Sequence, residues 1–192
     1  MHFKKLIVAF WKGKSEGVYK KIKPYLKKGD KILDIGAGSC QISEMLIKNG
    51  FDVVPLDIRN LSVVDGLSPV IYDGENIPFK NDYFDVSLLI TTLHHVKEPE
   101  SFLKEAKRVS KGLIIIEDIY HGPIQKYLTY IMDNVVNIEF FGHPHSNKND
   151  NEWKNTFKKL GLSLKDSKYE KFWGIFWSAV YYLKRERSFT RN

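Results

Sequence analysis

From Lys31 onward, short apolar runs alternate with stretches in which apolar residues recur every three or four positions. That alternation predicts strand–helix–strand units forming a sheet covered on both faces. Lys31–Ile35 reads as a first strand, Gln41–Asn49 as a helix stopped by Gly50, and Phe51–Asp57 as a second strand in which Pro55 is the discordant residue. Pro69–Tyr72, Phe84–Ile90 and Gly112–Glu117 read as the third, fourth and fifth strands, and the unbroken apolarity of the last two suits parallel strands buried on both sides. Between them, Phe102, Leu103, Ala106 and Val109 give Glu98–Val109 a helical period and hence a right-handed crossover. Ile124–Val136 then predicts a helix, Gly142–Asn151 a polar lid loop, and Glu152–Leu160 a helix ended by Gly161. Leu162–Tyr169 and Trp173–Lys184, joined by a bend at Gly174 with no helix between, form an antiparallel pair. The fold class is α/β: a Rossmann-like, doubly wound, mostly parallel seven-stranded sheet with an antiparallel C-terminal strand and helices on both faces.

Composition narrows the setting. With 43% hydrophobic and 28% charged residues the 192-residue chain must fold, and it is long enough for one domain. Thirty Lys and Arg against 23 Asp and Glu leave +7, which keeps weak attraction to RNA or an anionic membrane surface open. The single cysteine, Cys40, forms no internal disulfide, so a reducing, cytoplasmic interior is expected. No apolar run reaches the roughly 20 residues that span a bilayer. The apolar run within Met1–Lys12 is followed by lysines rather than a cleavage site, and reads as an amphipathic helix that covers the site or touches lipid.

The chemistry sits where the first strand runs into the first helix, at Asp34-Ile35-Gly36-Ala37-Gly38-Ser39-Cys40. Glycines there let the backbone turn sharply and let a ligand lie against the main chain at the carboxyl edge of the sheet. A dinucleotide fingerprint would need its third glycine at position 41, where the chain has Gln41. A nicotinamide-dependent oxidoreductase is therefore the alternative reading.

Asp34-Ile35-Gly36-Ala37-Gly38 resembles motif I of the class I S-adenosylmethionine-dependent methyltransferases, with Cys40 in place of the last glycine. Later segments agree. Asp57 closes the second strand 23 residues after Asp34, Tyr72-Asp73-Gly74-Glu75-Asn76-Ile77-Pro78-Phe79 is similar to the family's D-A-x-x-L-P-F segment, and Phe84-Asp85-Val86 through Leu93-His94-His95-Val96 is similar to a run in the UbiE/BioC-like branch. The resemblance implies methyl transfer from S-adenosylmethionine to a small-molecule acceptor by in-line displacement. It implies cofactor contacts at Asp34, Gly36, Ala37 and Gly38, at Asp57 for the ribose, at Asp73 for the adenine, at Ile58 and Gly74 beside them, and at Thr91 where the chain leaves the fourth strand. It also divides a single domain into an N-terminal helical cap (1–30), a cofactor-binding core (31–118), an acceptor-side helix, lid and helix (119–161), and the strand pair (162–185).

His94 is the acceptor-pocket candidate, while the turn is expected to point His95 inward as a hydrogen-bonded core residue. His143 and His145 flank Pro144 without a spaced acidic partner and read as a lid, so no metal is expected. The amino-methylating and cytosine-methylating DNA motifs are missing, so DNA is not expected as a partner. At +7, tRNA stays open, as does a non-catalytic module that binds cofactor or RNA.

Overall fold

A computed structural model describes residues 13, 15–122, 125, 127, 148–172 and 174–186. The expected helix at Ile124–Val136, most of the Gly142–Asn151 loop and the Met1–Lys12 segment fall largely or wholly outside them. The strands are β1 (Lys31–Ile35), β2 (Asp52–Asp57), β3 (Val70–Ile71), β4 (Phe84–Ile90), β5 (Ser110–Ile119), β6 (Leu162–Phe172) and β7 (Phe176–Arg185). They form one seven-stranded sheet in the order β3-β2-β1-β4-β5-β7-β6. β1 to β5 pair in parallel and β7 runs antiparallel to both its neighbours, as the fold class required.

Alternate residues of the central strands feed two cores. Leu33, Ile35, Leu89, Leu113 and Ile115 face α3 (Pro99–Val109) and α4 (Asp150–Lys159), packing with Phe102, Leu103, Ala106, Trp153 and Phe157. Ile32, Leu88, Ile114 and Ile116 face the other way, onto Val18 and Ile22 of α1 (residues 15–22) and Leu46 of α2 (Gln41–Lys48). Burying both faces explains the near-continuous apolarity.

Pro55 is accommodated inside β2 because of where its neighbours bond. The Leu56 carbonyl accepts from the Gly36 and Ala37 N–H groups on the β1 side, so residues 55 and 57 address β3, and β3 begins only opposite Leu56. The missing proline N–H therefore leaves no ladder bond unmade. β6, the other edge, carries exposed Lys165, Lys168 and Lys171 interspersed with acids: Glu170 pairs with Lys21 at 2.8 Å and Asp166 accepts from Tyr25 at 2.8 Å. Edge lysines of this kind oppose strand addition, and the mixed signs form no single-sign field.

Candidate active site

The strand order reverses at β1, which lies between β2 and β4, and the crevice beyond their carboxyl ends is where open α/β sheets bind ligands. The tip of β1 is built first. Gly36 has φ +74°, and a Cβ there would lie 2.7 Å from the Thr92 methyl, so only glycine lets the turn meet the chain leaving β4. Cys40, standing for the motif's last glycine, adopts φ +59°, so the turn is kept at the cost of a strained non-glycine residue. Its start-of-helix position does not activate the thiol; burial pushes it above its ordinary range.

Three acids sit at the tips of adjacent strands, with three different environments. Asp57 accepts from the Gly38 N–H at 2.8 Å and, through its other oxygen, from the Arg59 N–H at 3.2 Å. It is thus the strut between the β1 turn and β2. Asp34 is 2% exposed and accepts from Ser43 Oγ of α2 at 2.6 Å. Burial, with a smaller contribution from the Asp57 charge, pushes its pKa up to about 6, against the lowering pull of Ser43. No ion pair among the described residues involves Asp34. Asp73 is exposed and caps its own turn: Oδ1 accepts from the Glu75 and Asn76 N–H groups at 2.8 and 2.7 Å, and Oδ2 from the Asn76 amide at 3.0 Å. These bonds, the Asn76 side chain foremost, hold its carboxyl below the usual range.

Around the acids lie surfaces suited to a nucleoside. Ile58 is 59% exposed immediately after Asp57 and lies over Gly74, where an added Cβ would meet its methyl at 3.2 Å. The Ile77–Phe79 segment is clasped to α3, because Arg108 donates to the Ile77 and Phe79 carbonyls at 2.8 Å each and Glu105 accepts from the Ile77 N–H at 3.1 Å. Thr91, at the end of β4, has φ +50°, a costly conformation for a β-branched residue, and is held there by its N–H bond to the Ile116 carbonyl at 2.7 Å.

The paired histidines divide differently from expectation. His94, not His95, is the inward member: it is 5% exposed, with Nδ1 2.7 Å from Oε2 of Glu117, while His95 is partly exposed. The intervening Leu93–His95 segment is a turn of 3₁₀ helix, whose tighter pitch turns His94 toward β5. Sequence reasoning also missed Gln41, Ser43 and Glu117. Gln41 had been read as a helix start and as the mark of an absent glycine, yet its Oε1 is a buried acceptor with no hydrogen-bond partner among the described residues. An ionisable residue closing an apolar strand run was the available signal for Glu117. Among the described residues no group of three or more His, Cys, Asp and Glu is arranged to hold a metal. His143 and His145 lie outside the described residues.

Residues 33–116, which carry every element just described from β1 through most of β5, match the family model of a methyltransferase domain. Over that stretch, somewhat less than half of the chain, it is similar to a methyltransferase core. The chain is 34% identical over 113 residues to an uncharacterized protein of Methanocaldococcus jannaschii, covering 55% of this chain and 54% of that one. It is 33% identical over 119 residues to the demethylmenaquinone methyltransferase of Paenarthrobacter aurescens, covering 56% and 47%. The chain thus spans about half the length of these relatives. In fold it is similar to a SAM-dependent methyltransferase of Methanosarcina mazei, with a TM-score of 0.67 at 20% identity over 88% of this chain and 98% of that one.

The residues of the core fit S-adenosylmethionine better than a dinucleotide. That ligand carries no phosphate, and besides its methionine carboxylate it presents an ammonium, a sulfonium, a ribose diol and an adenine edge, for which acceptors are the complement. The turn offers Asp34 without a cationic partner among the described residues, the orphaned Gln41 acceptor, and the carboxylate of Asp57.

Proposed function

We propose that this chain transfers a methyl group from S-adenosylmethionine to a small-molecule acceptor, acting as a single methyltransferase domain in the cytoplasm. When bound, the cofactor supplies a methyl group already activated on a positively charged sulfur. The protein's own part is to bind and orient. Asp57 would accept from the ribose hydroxyls while the Gly38 N–H fixes its carboxylate. Ile58 would floor the adenine, with the Asp73 turn at its edge. Asp34 and Gln41 would answer the cationic end, and Gly36 would let the backbone approach. On the β4 side, Thr91 and His94 would border the acceptor. Holding two reactants in line is worth up to about 7–11 kcal/mol, so little further machinery is required.

The observation that carries this reading is the Asp57 carboxylate taking the Gly38 N–H, which draws the β1 and β2 tips into one acceptor-rich cradle. The relatives named as demethylmenaquinone methyltransferases make hydroxylated aromatic quinols the first acceptor class to assay. The test is labelled-methyl transfer from S-adenosylmethionine to a demethylated quinol, to a pooled small-molecule extract and to total tRNA. Label in a small molecule is the expected result. Label confined to tRNA would overturn the acceptor class, and label in none of them would overturn the activity.

A further inference from the structure

Glu117 is a carboxylate with 0% exposure on β5, and it has no place in the cofactor reading. Two backbone donors and a histidine ring nitrogen converge on it. Oε1 accepts from the backbone N–H groups of Thr92 at 2.9 Å and Leu93 at 2.7 Å, and Oε2 lies 2.7 Å from Nδ1 of His94. With two backbone N–H groups already bonded to it, the carboxyl is set up to accept, so the ring nitrogen facing it is the one that carries hydrogen. We infer that Glu117 is a positioning residue that fixes His94 with its proton on Nδ1, leaving Nε2 as the accepting edge. In either charge state of the ring, Nδ1 keeps its hydrogen, and while the ring is neutral Nε2 receives hydrogen bonds and gives none.

The same contacts tie this pair to the cofactor turn. Thr92, whose N–H bonds Glu117, donates its hydroxyl to the Ile35 and Ile90 carbonyls at 3.3 and 3.1 Å, and its methyl fills the space that a side chain at Gly36 would need. Glu117 therefore holds the His94 ring and the backbone beside Gly36 through one carboxylate. A buried acid with a merely structural task would serve equally well as an amide, but tautomer control would not survive that exchange. The Glu117→Gln carbonyl would keep the two backbone N–H bonds while its NH₂ faced the ring, and Nδ1 would have to become the acceptor. The inference deepens the methyltransferase reading and rests on it only for what Nε2 faces.

The test is nitrogen-15 NMR of the full chain labelled at histidine, with the His94 signals identified by their loss in His94→Gln. In the wild type, Nδ1 is expected to show the protonated, pyrrole-type shift, and in Glu117→Gln the unprotonated, pyridine-type shift with the proton moved to Nε2. A pyridine-type Nδ1 in the wild type, or a Nδ1 that stays protonated in Glu117→Gln, would overturn the inference. Should Glu117→Gln fail to fold, the wild-type spectrum alone decides. Methyl-transfer rates separate the two levels: inversion with a fall in kcat on the order of 10²-fold and unchanged S-adenosylhomocysteine affinity supports both. Inversion with an unchanged rate upholds Glu117's role and removes His94 from the acceptor side. Inversion in a protein whose wild type transfers no methyl group upholds the positioning and overturns the methyltransferase reading.

Discussion

Asp34→Asn separates what the buried acid costs the fold from what it does for a ligand. Asp34 is buried, with its pKa pushed from 3.8 to about 6, chiefly by burial. The folded state therefore favours the protonated form. The sign follows: this contribution to stability is fully present below pH 3.8, and is lost as pH rises through about 6. At about 1.4 kcal/mol per pH unit, the loss amounts to about 3 kcal/mol at neutral pH. Asparagine keeps an acceptor for the Ser43 hydroxyl and cannot ionise, so it escapes that loss. Its NH₂ group adds an offset of about 1–3 kcal/mol if left unsatisfied, but that offset does not vary with pH. Urea unfolding of both proteins, followed by tryptophan fluorescence between pH 4 and 7.5, should show the stability difference moving in the variant's favour by about 2.5 kcal/mol as pH rises. A difference that stays constant over this range would refute the argument. The same acid gives binding a pH signature: wild-type affinity for the cationic cofactor should rise as pH increases through about 6, and the rise should vanish in Asp34→Asn.

Other substitutions probe the remaining contacts. Asp57→Ala removes the acceptor for the Gly38 N–H and for the ribose, and should weaken S-adenosylhomocysteine binding by about 1–3 kcal/mol in calorimetry; unchanged affinity would remove Asp57 from the cradle. Gly36→Ala forces a Cβ within 2.7 Å of the Thr92 methyl at φ +74°, so a stability loss of at least about 1–3 kcal/mol should accompany loss of cofactor binding in thermal unfolding with and without ligand. Cys40, buried and with its thiol pushed up by burial, should react with iodoacetamide more slowly than free cysteine at pH 7.5, and faster only as denaturant opens the fold.

How much the sequence disclosed depended on the range of the interaction. Continuous apolar runs and helical apolar periods reflect which faces are covered, and they placed β1, β4 and α3 within a residue or so. Strand ends were less visible: β3 shrinks to Val70–Ile71 because its partner β2 ends at Asp57, and β6 and β5 run on because β7 pairs along their length. Asp34, Asp57 and Asp73 were legible as acids at strand tips, since position along a strand is a local property. Their differing environments were not, because burial of Asp34 by Ser43 and α2, and the strut from Asp57 to Gly38, exist only after the chain closes on itself. His94 and His95 are adjacent, and only the 3₁₀ turn and the carboxylate across on β5 distinguish them. Glu117 was hidden at the end of an apolar run that reads simply as a strand.

The central claim is that the tips of β1 and β2 form an acceptor-rich cradle for a cationic nucleoside. Isothermal titration of the full chain with S-adenosylmethionine and, separately, with NADH tests it most directly. Saturable micromolar binding of the first with none of the second is the result expected; binding of NADH alone, or S-adenosylmethionine affinity untouched by Asp57→Ala, would contradict it.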